Sequence, residues 1–169
     1  MTHCADLPRP TPVVLIGDDH WESPAAHTRT MATACVAQRD VLVVEPPRFL
    51  DDAAYPMLHV VQPSDGIEAS SDVAGSSTTT AHALIRVVPL LPRRLLTESA
   101  ATAREVWGLV RTELMRWSWH HASIAERFES PQYWCCLPEA LASVRDVFGE
   151  GAMLPAWNYE SVGSVGGAS

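Results

Sequence analysis

The sequence predicts an α/β domain, a mainly parallel sheet with helices on both faces, from three observations. Two β-branched runs, Val13-Val14-Leu15-Ile16-Gly17 and Asp40-Val41-Leu42-Val43-Val44, each break off into a polar or Pro-containing loop, with a helical stretch between them. Such a pair is a strand–helix–strand unit whose parallel strands end on the same edge of a sheet. The second run is apolar at successive positions rather than alternating, as in strands covered on both faces. Finally, the 169 residues are 47% hydrophobic and 19% charged, which suits one globular domain with a sizeable core.

The elements follow in order. Ser23 as N-cap and Pro24 at the first helical position predict a helix running to about Gln38, with Met31, Ala34 and Cys35 at helical spacing. Pro46-Pro47 stops the second strand. Leu58-His59-Val60-Val61 is a short strand candidate that can pair with Leu84-Ile85-Arg86-Val87-Val88-Pro89 as an excursion at the sheet edge. Between them, 64–81 is rich in Ser, Thr, Gly and Asp and is expected to be a mobile loop or an insertion.

A long helix is expected from about Thr97 to Phe128. Its apolar stripe is Val106, Val110, Leu114, Trp117, His121, Ile124 and Phe128, with a break near Ser118–Ser123 and with His121 packed. Gln132 to Leu137 reads as a strand, Pro138 opens a helix to Phe148, and Gly149 caps it. Ala152-Met153-Leu154 would begin one more strand. The domain is expected to span 13–160, with a flexible N-terminus (1–12) and a flexible tail (161–169).

Composition excludes several classes. A net charge of -8 argues against nucleic acid as a partner, because a phosphate backbone demands a basic footprint. No apolar run approaches the roughly 20 residues of a membrane-spanning helix, and the polar, Pro-rich start lacks a signal-peptide pattern, so a cytoplasmic location is expected. The four cysteines show no CxxC spacing and read as free thiols rather than metal ligands or disulfides. There is no Gly-x-Gly-x-x-Gly after the first strand, no P-loop and no Gly-x-Ser-x-Gly elbow.

Four segments taken together resemble a known family: Val13–Trp21, Asp40–Pro47 with its Val-Val-Glu-Pro-Pro ending, Ile85–Pro92, and Tyr133–Leu141. Their order is similar to the N-terminal half of a GT-B glycosyltransferase, of the bacterial group that makes cell-surface and capsular polysaccharides. The resemblance covers most of 13–150 and implies a Rossmann-like domain that binds an acceptor. Relatives of this kind transfer a sugar from a nucleotide sugar to an acceptor hydroxyl, generally without a bound metal. They continue with a strand carrying an Asp-rich turn, of which Met153 to Glu160 is a poor version, and then a second, donor-binding domain. The chain is therefore expected to be an acceptor-side half, truncated or a fragment, and inactive alone. A stand-alone Rossmann-like module that binds a small ligand or a protein is the alternative.

In open α/β sheets ligands bind at the carboxyl ends of the strands, which singles out the loops Asp18 to Glu22 and Glu45 to Phe49. Glycosyl transfer needs a base for the acceptor hydroxyl, and the expected base is Asp18, Asp19 or His20. Trp21, Glu22, Glu45 and Arg48 are the expected acceptor-binding residues. A structural role competes with each: the acids suit the positive end of the following helix, and Pro46-Pro47 simply stiffens the exit. No metal and no cofactor are expected. The expected partners are an acceptor saccharide or lipid-linked acceptor and a donor-domain chain, with peripheral membrane contact from the cytoplasmic face.

Overall fold

The computed structural model describes residues 9–61, 82–97 and 102–155. The stretches expected to be flexible at 64–81 and 161–169, and most of 1–12, lie outside these residues. The strands are β1 (Val13–Ile16), β2 (Val41–Val44), β3 (Arg48–Leu50), β4 (Met57–Val61), β5 (Leu84–Pro92) and β6 (Gln132–Cys135). The helices are α1 (His27–Val36), α2 (Arg94–Thr97), α3 (Ala103–Trp119), α4 (Ala122–Arg127) and α5 (Leu141–Phe148), and a 3-10 turn (Pro138–Ala140) leads into α5.

β1 lies between β2 and β6, parallel to both, and β2 pairs in parallel with β5. Spatially the parallel strands therefore run β5, β2, β1, β6, the order of one half of a Rossmann-like sheet. Met153 adds a parallel bridge beside Trp134, where the next strand would begin. On the outer edge of β5, β4 pairs antiparallel from Met57↔Leu90 to Val61↔Arg86, the edge excursion expected from the sequence.

β3 was not expected. Val44 pairs with Val87 and Arg48 with Leu90, so four steps along the β2–β3 line face three along β5. The Glu45-Pro46-Pro47 segment thus does not end the strand. It interrupts it with one extra residue, bulge-fashion, and pairing resumes. The loop expected at Glu45 to Phe49 shrinks to those three residues.

Strand residues divide by parity, as pleating requires. Val14, Ile16, Leu42, Val44 and Cys135 join Trp107, Val110, Leu114 and Val144 in a core under α3 and α5. Val13, Leu15, Val41 and Val43 pack with Trp21, Met31, Ala32 and Cys136 on the α1 side. The sheet is covered from both faces. Cys135 and Cys136 point to opposite cores, and both are free thiols, as is half-buried Cys35. Burial raises all three thiols, Cys136 to about 12, with the nearby Asp18 carboxylate adding to the effect there.

Several details differ from the sequence reading. α1 begins at His27, because residues 20–26 are taken up by two tight turns, with Ser23 N donating to His20 O and Ala26 N donating to Ser23 O. Ser23 is therefore not its cap. The long helix is two, and the break falls where it was expected, near Ser118–Ser123. α3 is launched by a capping box between Thr102 and Glu105, and the chain breaks at His120-His121 before α4. His121 is exposed rather than packed, with Nδ1 2.8 Å from Trp117 O and its ring 5.7 Å from the Trp117 ring. Trp107 is in the core, while Trp119 is exposed. Among the described residues no helix is long and apolar enough to cross a membrane.

Candidate functional site at the carboxyl edge

The carboxyl ends of β1, β2 and β6 meet where the order of connections reverses. β1 continues through α1 to β2 on one side, while β6 is reached from β5 over the opposite face. Such a switch point opens a crevice in doubly wound sheets. Every candidate residue lies along this edge, and the structure sorts them into two groups.

The first group is centred on Glu45, whose side chain is fully buried. A buried carboxylate needs charge and hydrogen bonds around it, and it has both. Arg86 donates to Oε1 through Nε at 3.2 Å and through a terminal nitrogen at 2.7 Å. The Trp21 amide donates to Oε2 at 3.2 Å. His20 Nδ1 lies 3.5 Å from the same Oε2, with the imidazole 39% exposed. Arg86 also donates to Glu22 at 2.9 Å, and Arg48 lies 3.5 Å from the other Glu22 oxygen. Arg86 stacks over the Trp21 ring at 4.5 Å. The Glu22 carboxyl is held below its ordinary value chiefly by the Arg86 hydrogen bond.

Trp21 is buried, so its indole is a platform for Arg86 rather than a face open to a ligand. Glu22 and Arg48 are the exposed rim. Arg86 was missed as a site residue. Its signal is a lone charge in the apolar run Leu84-Ile85-Arg86-Val87-Val88, since a cation in a paired strand requires a buried partner.

The second group ties the β1 loop to α1. Asp19 accepts the His27 amide at 2.7 Å and the Thr28 amide at 3.2 Å, although the N-cap residue Ala26 offers no side-chain bond. A carboxylate eight residues upstream thus caps the helix and meets its positive end. Burial raises the Asp19 carboxyl, but the hydrogen bonds from Thr28 and His27 and the nearby His27 charge outweigh it, leaving the pKa below 3.8. Asp18 Oδ1 accepts from Thr28 Oγ1 at 3.1 Å, and Oδ2 lies 3.7 Å from His27 Nδ1. Asp18, His27 and Cys136 bring a carboxylate oxygen, an imidazole nitrogen and a thiol sulfur within 4.8 Å of one another.

Gly17 makes this second group fit. A Cβ there would stand 2.7 Å from both Thr28 Cγ2 and Thr28 Oγ1. The residue is needed for close approach of helix to strand, a role glycines also serve in dinucleotide-binding turns.

Asp19→Ala is expected to lower stability by about 1 kcal/mol, in the range of lost caps. Because the folded-state pKa is depressed, this contribution is complete above the unfolded value of about 3.8 and fades as pH falls through the folded value. Urea melts of both proteins should show a constant gap at neutral pH that closes below that value. A gap that instead widens in acid would refute the capping role.

Comparison of the chain with protein families, with curated proteins and with solved structures finds no match in any of the three, so the functional reading rests on the fold and on this edge.

Proposed function

We propose that the chain is the acceptor-binding half of a GT-B-type glycosyltransferase, with His20 as the general base toward an acceptor hydroxyl. The observation that carries the reading is the pairing of a part-exposed imidazole with a fully buried carboxylate, His20 Nδ1 to Glu45 Oε2 at 3.5 Å. Closing this 3.5 Å contact to a hydrogen bond, which His20 Nδ1 lacks here, would fix the tautomer and steady the imidazolium that forms when the other nitrogen takes a proton. Arg86 and the Trp21 amide position Glu45, and Glu22 with Arg48 offers a polar rim for sugar hydroxyls. Asp19 is engaged with the α1 amides and Asp18 with Thr28 and His27, so His20 is the base in this proposal. The nucleotide-sugar donor site belongs to a second domain or chain in this proposal. A lipid-linked acceptor would bring the protein to the cytoplasmic face of a membrane.

Saturation-transfer NMR with panels of oligosaccharides and nucleotide sugars tests the reading. Saccharides should bind with enhanced signal, and His20→Ala should weaken that signal without changing the melting temperature. Nucleotide sugars should bind weakly or not at all. Tight nucleotide-sugar binding by this chain would overturn the acceptor-half reading and favour a self-contained small-ligand module. In a transfer assay, His20→Ala is expected to cost about 10²–10⁴-fold in rate, the usual contribution of a positioned base.

A further inference from the structure

We propose that Asp18, His27 and Cys136 form a binding site for a thiophilic divalent cation, zinc in the first instance, at the crevice between β1 and β6. Three different donors from three separate segments converge there: the β1 loop, the first residue of α1, and the residue after β6. Their ligand atoms lie within 4.8 Å of one another. Metal–ligand bonds of about 2.0–2.3 Å in a tetrahedron place ligand atoms roughly 3.3–3.8 Å apart, so small side-chain rotations close the set around one ion. Mixed oxygen, nitrogen and sulfur donors suit zinc rather than calcium or magnesium, which take oxygen ligands.

Two features make this more than a coincidence of acids. Thr28 Oγ1 holds Asp18 Oδ1, while Oδ2 is the oxygen recorded beside His27 Nδ1 at 3.7 Å, the outer-sphere orientation typical of metal sites. Cys136 is nearly buried, and its sulfur lies 3.8 Å from Met31 Sδ, one turn along α1 from His27. A second soft atom therefore flanks the thiol. With three protein ligands and Asp18 at the exposed crevice, a fourth position faces solvent, as in zinc sites that bind a water or a substrate oxygen. Binding replaces the Cys136 S–H bond with a metal–sulfur bond and releases that proton to buffer, with no change of oxidation state. The site is independent of the sugar-transfer reading, since it shares neither His20 nor Glu45.

The test is titration of the purified, metal-free full chain with Zn2+, followed by calorimetry, in parallel with Co2+ absorption. A His3→Ala, Cys4→Ser background removes the other His and Cys donors near the N-terminus. One equivalent of Zn2+ should bind, with proton release that scales with buffer ionisation. The cobalt protein should show a thiolate-to-metal charge-transfer band that Cys136→Ala abolishes. His27→Gln and Asp18→Asn should each weaken zinc binding by at least about tenfold, in the range seen when the surroundings of a metal ligand are altered. Absence of stoichiometric binding, loss of binding in the His3→Ala, Cys4→Ser background, or equal affinity in the Asp18, His27 and Cys136 variants would each overturn the site.

Discussion

Replacing Arg86 by leucine is expected to lower the unfolding free energy by about 3–5 kcal/mol, the cost of leaving a buried charge without its partner. The reason is the completeness of Glu45's burial. Its carboxylate holds two guanidinium bonds and one amide bond, and water cannot replace the guanidinium without opening β2 from β5. The exposed Glu22–Arg48 contact adds little by comparison, because solvent screens it.

Charge pairing, rather than the packing of Arg86 on Trp21, is identified by a double-mutant cycle. Glu45→Leu combined with Arg86→Leu removes both ions and should recover much of the loss. Equilibrium urea unfolding of the four proteins measures it. If the double variant is as unstable as the sum of the singles, the ion pair is not the source and the stacking is.

Gly17→Ala is the second large effect, about 1–3 kcal/mol, the range for forcing a methyl group into a packed site. The added Cβ meets Thr28 at 2.7 Å on two atoms, and Thr28 is itself fully buried. Relief requires α1 to lift from the end of β1. That movement would also stretch the Asp19 bonds to the His27 and Thr28 amides and the Thr28 bond to Asp18. In a Thr28→Ala background both 2.7 Å contacts vanish, and of the three nearest atoms Thr28 Cβ, at 3.2 Å, remains. The same Gly17→Ala change should then cost markedly less. Thermal melts of the two single variants and the double variant decide the matter. Equal penalties in both backgrounds would mean that backbone freedom, not space, is what Gly17 supplies.

The central strands were legible because their apolar residues run without alternation, and only burial on both faces explains that. Their parallel pairing followed from the helix between them. The edge hairpin of β4 and β5 was legible from two short apolar runs flanking a polar stretch. What was not legible depends on partners distant in sequence. The Ser23-Pro24 pair has the form of a helix start, yet α1 begins three residues later, because Asp19 supplies the carboxylate its first amides need. Pro46-Pro47 reads as a stop, but the long β5 offers a continuing template, so pairing resumes after one extra residue.

At the site, the segments Asp18–Glu22 and Glu45–Arg48 were legible as strand ends facing one edge. The division of labour within them was not. Trp21 reads as a sugar-stacking or loop-packing aromatic, while its place is among the α1-side core residues with Arg86, distant in the chain, over its ring. The role of Arg86 itself could have been sought from its isolation among aliphatic neighbours, since such a charge implies a buried counterpart. Glu45, following an apolar run, was that counterpart.

Arg86 sits in the stretch of β5 that is hydrogen-bonded on both edges, opposite Val43 on one side and Val61 on the other. His20, by contrast, rides on a turn. The edge therefore joins a fixed floor to an adjustable rim. Over evolutionary time the two should change at different tempos: the exposed turn positions Glu22, Pro24 and Ala25 are free to drift toward new ligands, whereas Glu45 and Arg86 can be altered only together. A laboratory selection for new binding that randomises the turn while leaving the pair untouched should yield folded proteins far more often than one that includes it.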